Sequence, residues 1–341
     1  MKFPKITAFA AAAVLALGAL TGCGADSGAD QPDAEIVTTV YAVYDMAKQL
    51  TAGFDSNVRV TLLLTPGGES HSYEPTPADA AAIQRCTVFA YVGGTSEKWA
   101  DKMITSSREE KVNLKLMDYV EPLTEETVEG MQEHDHDHDD HDDHDGFDGA
   151  YHDDLHRKTH DNAQDIEYDE HIWTSPKNAD AMLGALHDTI RYVMPEESAK
   201  CKANYEKLHA AFTELDQTAQ NICSRQKSDT IIVADRFPFR YLTAAYGWKY
   251  YAAFPGCSGD TDASAATLSF LIAKVQEMQV KTVFYLENST KKISDAVCRA
   301  TGANAVMLQS GNNVSAEDFK AGKHIQDIMA ENLRAIGEAL C

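Results

Sequence analysis

Histidine, the side chain best suited to divalent transition metals, is concentrated in one stretch of this chain. The run "HDHDHDDHDDHDG", His134 to Gly146, alternates imidazole with carboxylate. "YHDDLHRKTH" continues it, so that His134, His136, His138, His141, His144, His152, His156 and His160 fall in one segment. His152, His156 and His160 are four residues apart and would share a face if that piece turned helical. Between His134 and Asp161, eleven aspartates face only Arg157 and Lys158, a formal charge of −9. A fixed metal site needs ligands oriented by packing and by further hydrogen bonds. A stretch this charged, with no apolar residue from His134 to Gly146, supplies neither and is expected to stay disordered. We read it as an auxiliary collector that raises the local metal concentration for a site built elsewhere.

Two isolated histidines are the candidates for that site. His71 lies in "GGESHSYEPTPAD", Gly67 to Asp79, one turn beyond the apolar "VTLLL". His171 lies in "DEHIWTSPKNA", Asp169 to Ala179, where it closes the acidic insert and precedes a strand-like "IW" and Pro176. An isolated histidine is more often a surface or supporting group than a ligand. Both of these lie at the edges of α/β loops, and such sheets bind ligands beyond the carboxyl ends of their strands.

The elements that would position them repeat. Glu35 to Val40, Val58 to Leu64, Thr87 to Gly93 and Val112 to Asp118 are apolar, β-branched strand candidates separated by helical stretches. Thr230 to Asp235, Lys249 to Phe254, Lys281 to Glu287 and Asn304 to Ser310 form a second set. Strands alternating with helices predict an α/β fold of two lobes, each a parallel four-stranded sheet flanked by helices. Residues 195–227 open on Pro and two Glu, end on basic residues and contain no internal Gly or Pro, which predicts one long linker helix. At 1.5 Å per residue it would reach roughly 45 Å, a stiff connection along both lobes. The expected organisation is an N-terminal lobe over 34–194 with the His/Asp-rich insert at 130–165, the linker, and a C-terminal lobe over 228–341.

Residues 1–23 carry Lys2 and Lys5, then an apolar run to Leu20, too short and Ala-rich for a spanning helix and expected to be a secretory signal. It ends in "LTGC", which resembles the bacterial lipobox, implying lipidation of Cys23 and an extracytoplasmic protein anchored to the cell membrane. Residues 24–33 read as a flexible tether. The formal net charge of −23, from 30 basic and 53 acidic side chains, excludes a phosphate-backbone partner such as nucleic acid and suits cations. Cys86, Cys201, Cys223, Cys257, Cys298 and Cys341 show no CxxC-like spacing, which argues against thiolate ligation and leaves any disulfide pairing open.

Lipobox, tandem lobes, linker helix and His/Asp insert together resemble the metal-specific solute-binding proteins of ABC transporters, the zinc branch in particular. The resemblance implies that His71 and His171 are metal ligands. The family's third ligand, His or Glu, follows the first strand of the second lobe, but here "VADRFPF" offers neither. Asp235 is the nearest anionic candidate; ligation and a structural role as ion pair or N-cap both remain open for it, with Arg236 beside it. The fourth, an acidic residue after the lobe's third strand, falls on Glu287, and Glu69 is a weaker spare. The resemblance further implies zinc as cargo, an ABC permease as partner, a monomer, and binding and release without catalysis. Two histidines and one or two carboxylates would also accept manganese or iron. A surface zinc buffer or adhesin would use the same ligands. A secreted zinc hydrolase is the remaining class, but neither HExxH nor GxSxG occurs.

Overall fold

The computed structural model describes residues 31–104, 111–131, 167–259 and 262–341. The leader, Cys23 and all eight histidines of the run lie outside them. All eight expected strands form. The first sheet is built from β1 (Ala34–Thr38), β2 (Val58–Leu62), β3 (Val88–Tyr91) and β4 (Val112–Lys115), in the order β2-β1-β3-β4. All its pairings are parallel, with Ile36 set between Val60 and Val88. Helices α1 (Tyr41–Leu50), α2 (Pro77–Arg85), α3 (Lys98–Ile104) and α4 (Pro176–Val193) accompany it.

The linker is α5, Ser198–Arg225, after a 3-10 turn at Pro195–Glu197 that shortens the expected helix by three residues. Its 28 residues span about 42 Å. Its buried side chains, Cys201, Leu208, Phe212, Leu215, Ala219 and Ile222, recur at sevens, fours and threes and form one stripe.

The second sheet comprises β5 (Thr230–Phe237), β6 (Lys249–Pro255), β7 (Thr282–Leu286) and β8 (Asn304–Leu308), ordered β6-β5-β7-β8 and again parallel. With it run α6 (Arg240–Tyr246), α7 (Ala265–Glu277), α8 (Lys292–Thr301), α9 (Ala316–Ala321) and α10 (Ile325–Leu340). Both sheets have the same order, with a change of winding direction beside the first strand of each. Ligand crevices form at such points, outside the carboxyl ends of the strands.

One apolar cluster runs from Ile36 and Val88 through Leu208 and Phe212 of α5 to Val233, Phe284 and Leu333. The lobes therefore share a core, and hinge opening on the scale of a flexibly linked pair would expose it to water. No helix among the described residues is long and apolar enough to cross a membrane. The six described cysteines are unpaired.

Candidate metal centre

The loop carrying His71 is fixed by the chemistry of its own motif. Thr76 caps α2 by accepting from the Asp79 amide, while the Asp79 carboxylate accepts from the Thr76 amide and, at 2.8 Å, from the Tyr73 hydroxyl. Pro77 then occupies the first helical turn, where no amide is needed. From the other lobe, the Asn313 amide group donates to the carbonyls of Thr65 at 2.7 Å and Gly68 at 2.8 Å. His71 Nδ1 lies 3.0 Å from Ser96 Oγ, which leaves Nε2 for another partner.

His171 is buried, 2% exposed, and Nδ1 faces Asp169 Oδ1 at 3.2 Å. The same carboxylate oxygen accepts from the His171 amide at 2.8 Å. This carboxylate–imidazole pairing leaves Nε2 as the free nitrogen. The strand-like reading of "IW" is corrected: Ile172–Thr174 is a buried 3-10 turn. Its β-branched and aromatic residues are there to fill the core, and Pro176 starts α4 immediately after. The His71 and His171 rings come within 5.2 Å of each other, centroid to centroid.

Glu287 stands directly after β7, and its carboxylate accepts from the Ser310 amide at 2.9 Å and from the Ser310 hydroxyl. Asp235 is placed differently. Its oxygens accept from the backbone amides of Arg236 at 2.9 Å and Leu286 at 3.3 Å, which ties β5 to the end of β7. The side chain that reaches the cleft from the end of β5 is Arg236, whose guanidinium pairs with Glu69 at 2.9 Å. Glu69 is thus committed to neutralising an arginine.

His71, His171, Glu287 and Arg236 line one cleft of about 80 Å³. A water's share of liquid volume is roughly 30 Å³, and organic ligands occupy pockets of roughly 300–1,000 Å³. The cleft admits an ion with a water or two and excludes a sugar or peptide. A larger groove of about 700 Å³ between α5 and α10 contains no histidine and lies apart from this chemistry.

Three groups that motif reasoning missed surround the histidines. Glu170 accepts from the Ser96 amide. Glu125 accepts from the Cys257 amide at 2.9 Å. Cys257, in the turn after β6, brings its sulfur within 4.8 Å of ligand atoms of His71 and Glu170. The absence of a paired-cysteine spacing argues against Cys257 in sequence, but ligands contributed by separate elements need no common spacing. Glu170 was legible only as the neighbour of His171.

Two glycines allow this crowding. A Cβ on Gly94 would lie 2.2 Å from the Glu170 side chain. One on Gly256 would lie 2.8 Å from the Phe237 carbonyl and 3.3 Å from His171 Nδ1.

Burial pushes the carboxyls of Glu125, Glu170 and Glu287 above the usual carboxylate range. Burial and the neighbouring His171 push His71 down to about 3, so it is neutral at physiological pH. His171 goes the other way: burial works against its charge, but Asp169 outweighs it and raises its pKa. Acidic side chains cluster around the histidines, and a bound dication favours their ionised forms.

Two parallel α/β lobes on a shared core, closing strand ends over an ion-sized crevice, define the two-lobed solute-binding class. The chain belongs to the ZnuA family, zinc-uptake complex component A, periplasmic, whose model matches residues 36–339. It is 29% identical over 305 residues to the zinc-binding lipoprotein AdcA of Streptococcus pneumoniae, covering 88% of this chain and 54% of that protein. The chain therefore spans about half the length of the curated relatives it matches first. It is 27% identical over 329 residues to the high-affinity zinc uptake system protein ZnuA of Bacillus subtilis, covering 94% and 93% respectively. The fold superimposes on the Zn(II)-bound ZnuA-like domain of S. pneumoniae AdcA with a TM-score of 0.68 at 23% identity, over 90% of this chain and 98% of that one.

Proposed function

We propose that the chain captures zinc between its lobes outside the cytoplasmic membrane and delivers it to the permease of an ABC importer. The observation that carries this reading is the approach of the His71 and His171 rings to 5.2 Å in a cleft that Glu287 enters from the opposite lobe. His71 and His171 offer Nε2, and Glu287 offers a half-buried carboxylate already oriented by Ser310. The names of the zinc-binding relatives support the choice of metal, and the reaction is binding and release. Lipid attachment at Cys23 and action as a monomer belong to the same reading. The core shared through α5 means that loading tilts the lobes and reorders loops modestly, a difference the permease reads.

Titration of the full chain and of a chain lacking His134–His160 tests it, together with zinc uptake by cells expressing each. The deletion should lower the number of zinc ions bound and leave one tight ion, because disordered ligands lose entropy on wrapping a metal and bind more weakly than a preformed site. Uptake should suffer at scarce zinc and recover when zinc is plentiful. Loss of the tight ion with the deletion would move the cargo site into the run, and uptake independent of the chain would remove the transport role.

Between the two acids of the second lobe, Glu287→Ala should weaken zinc more than Asp235→Ala. The Glu287 carboxylate lines the cleft, whereas Asp235 spends its oxygens on two backbone amides; its loss should show mainly as a lower melting temperature. Calorimetric titration beside thermal melting separates the two effects, and the reverse order of affinities would make Asp235 the ligand.

A further inference from the structure

The end of β5 contributes a cation, Arg236, to a cleft that is to hold a cation, and the acid beside it is bound to backbone. A nearby turn of the same lobe offers a different donor. We propose that Cys257, presented by the turn after β6, is a metal ligand of this cleft, and that its thiolate makes the site select zinc over manganese. The proposal rests on the zinc-capture reading and names a donor which that reading does not require.

Three features support it. The sulfur of Cys257 and ligand atoms of His71 and Glu170 all lie within 4.8 Å of one another, although the three residues come from three separate loops. That convergence is built: Gly256, the residue before, is packed so tightly against Phe237 and His171 that a Cβ would collide. The Cys257 amide is also pinned to Glu125 at 2.9 Å, which fixes where the side chain starts. Finally, none of the six described cysteines is in a disulfide, so this thiol is chemically available.

When a dication arrives, the S–H bond breaks as the sulfur–metal bond forms, and the proton is released to solvent. Softness then discriminates among metals. Thiolate and imidazole suit zinc, whereas carboxylate and water suit manganese, so a sulfur donor separates two ions that nitrogen and oxygen ligands accept alike.

The test compares the full chain with Cys257→Ser and Cys257→Ala, using zinc, manganese and cobalt(II) as separate probes. The parent should bind cobalt with a sulfur-to-metal charge-transfer absorption in the near ultraviolet, and both variants should lose that band while still binding cobalt. Zinc affinity should fall in both variants by on the order of a hundredfold, one ligand's share of a four-ligand site. Manganese affinity should change less than tenfold. Circular dichroism and melting temperature confirm that the variants fold; Cys257→Ser, nearly isosteric, serves if Cys257→Ala does not. A parent without the sulfur band, or a folded Cys257→Ser with the parent's zinc affinity, overturns the proposal. His71→Ala, run in parallel, tells that outcome from failure of the cleft itself: if it too binds zinc as the parent does, the cargo site lies elsewhere and the proposal falls with it.

Discussion

Replacing either His71 or His171 by alanine should collapse tight zinc binding, measured on protein lacking His134–His160 so that the run cannot mask the loss. Structural zinc sites are worth about 10–16 kcal/mol in total, so one of four ligands carries about 3 kcal/mol, or on the order of a hundredfold in affinity. The two variants should differ in their pH behaviour. Zinc and a proton compete for His171, because Asp169 raises its pKa above the ordinary histidine value despite burial. His71, held down to about 3 by burial and by the neighbouring His171, has no proton to lose near neutrality. Zinc affinity of the parent should therefore climb with pH through the raised pKa of His171, with a slope of about one proton from the pair.

The sign for stability agrees. A group whose folded pKa is raised stabilises the metal-free fold below its unfolded pKa, and that contribution is lost as pH rises through the folded value. His171 behaves this way, and so do the raised carboxyls of Glu125, Glu170 and Glu287. The rise in melting temperature on adding zinc should consequently grow from pH 6 to pH 8. A zinc affinity equal to the parent's in both alanine variants removes the cleft from consideration. A flat pH profile removes His171 as the group that exchanges its proton for metal.

Trp173→Ala should be the most destabilising of the substitutions considered, and it should weaken zinc without removing a ligand. Trp173 is 2% exposed, and its indole packs edge-on to His171 at 5.6 Å. Its Nε1–H donates to the Ser310 carbonyl of the other lobe at 2.8 Å. Ser310 in turn holds the Glu287 carboxylate through its amide and its hydroxyl. Truncation of a buried tryptophan costs about 3–5 kcal/mol, from the lost burial of the indole together with the cavity left behind. For a chain of this size that lowers the melting temperature by about 10 °C. Trp173→Phe keeps most of the packing and loses the hydrogen bond, so it should fall between parent and alanine. Thermal melting with and without zinc checks both effects, and a Trp173→Ala protein that melts within about 2 °C of the parent would show that the two lobes do not depend on this contact.

Composition and periodicity carried much of this molecule. All eight strands, the parallel sheets and the long linker were legible because each depends on local signals: β-branched apolar runs, intervening helical stretches, and Pro and Glu opening a helix that contains no glycine. The loop after His71 ends in a capping box with proline in the first turn, a short-range device set by residues close together in the chain. His171 stood out by its own flanking residues. The turn at Ile172–Thr174 was misread, because apolar β-formers look alike whether they pair in a sheet or fill a core.

What tertiary structure decided is which side chains meet. Asp235 and Arg236 are neighbours in the chain, yet one turns to backbone amides and the other to Glu69, from the loop between β2 and α2 in the opposite lobe. Glu125, Glu170 and Cys257 had no motif to announce them, and they converge on the histidines because the ends of parallel strands from two sheets face a common crevice. Sequence specifies the elements through interactions a few residues long. The donors around the cleft come from loops up to about two hundred residues apart, and the packing of the lobes on α5 and on each other brings those loops together.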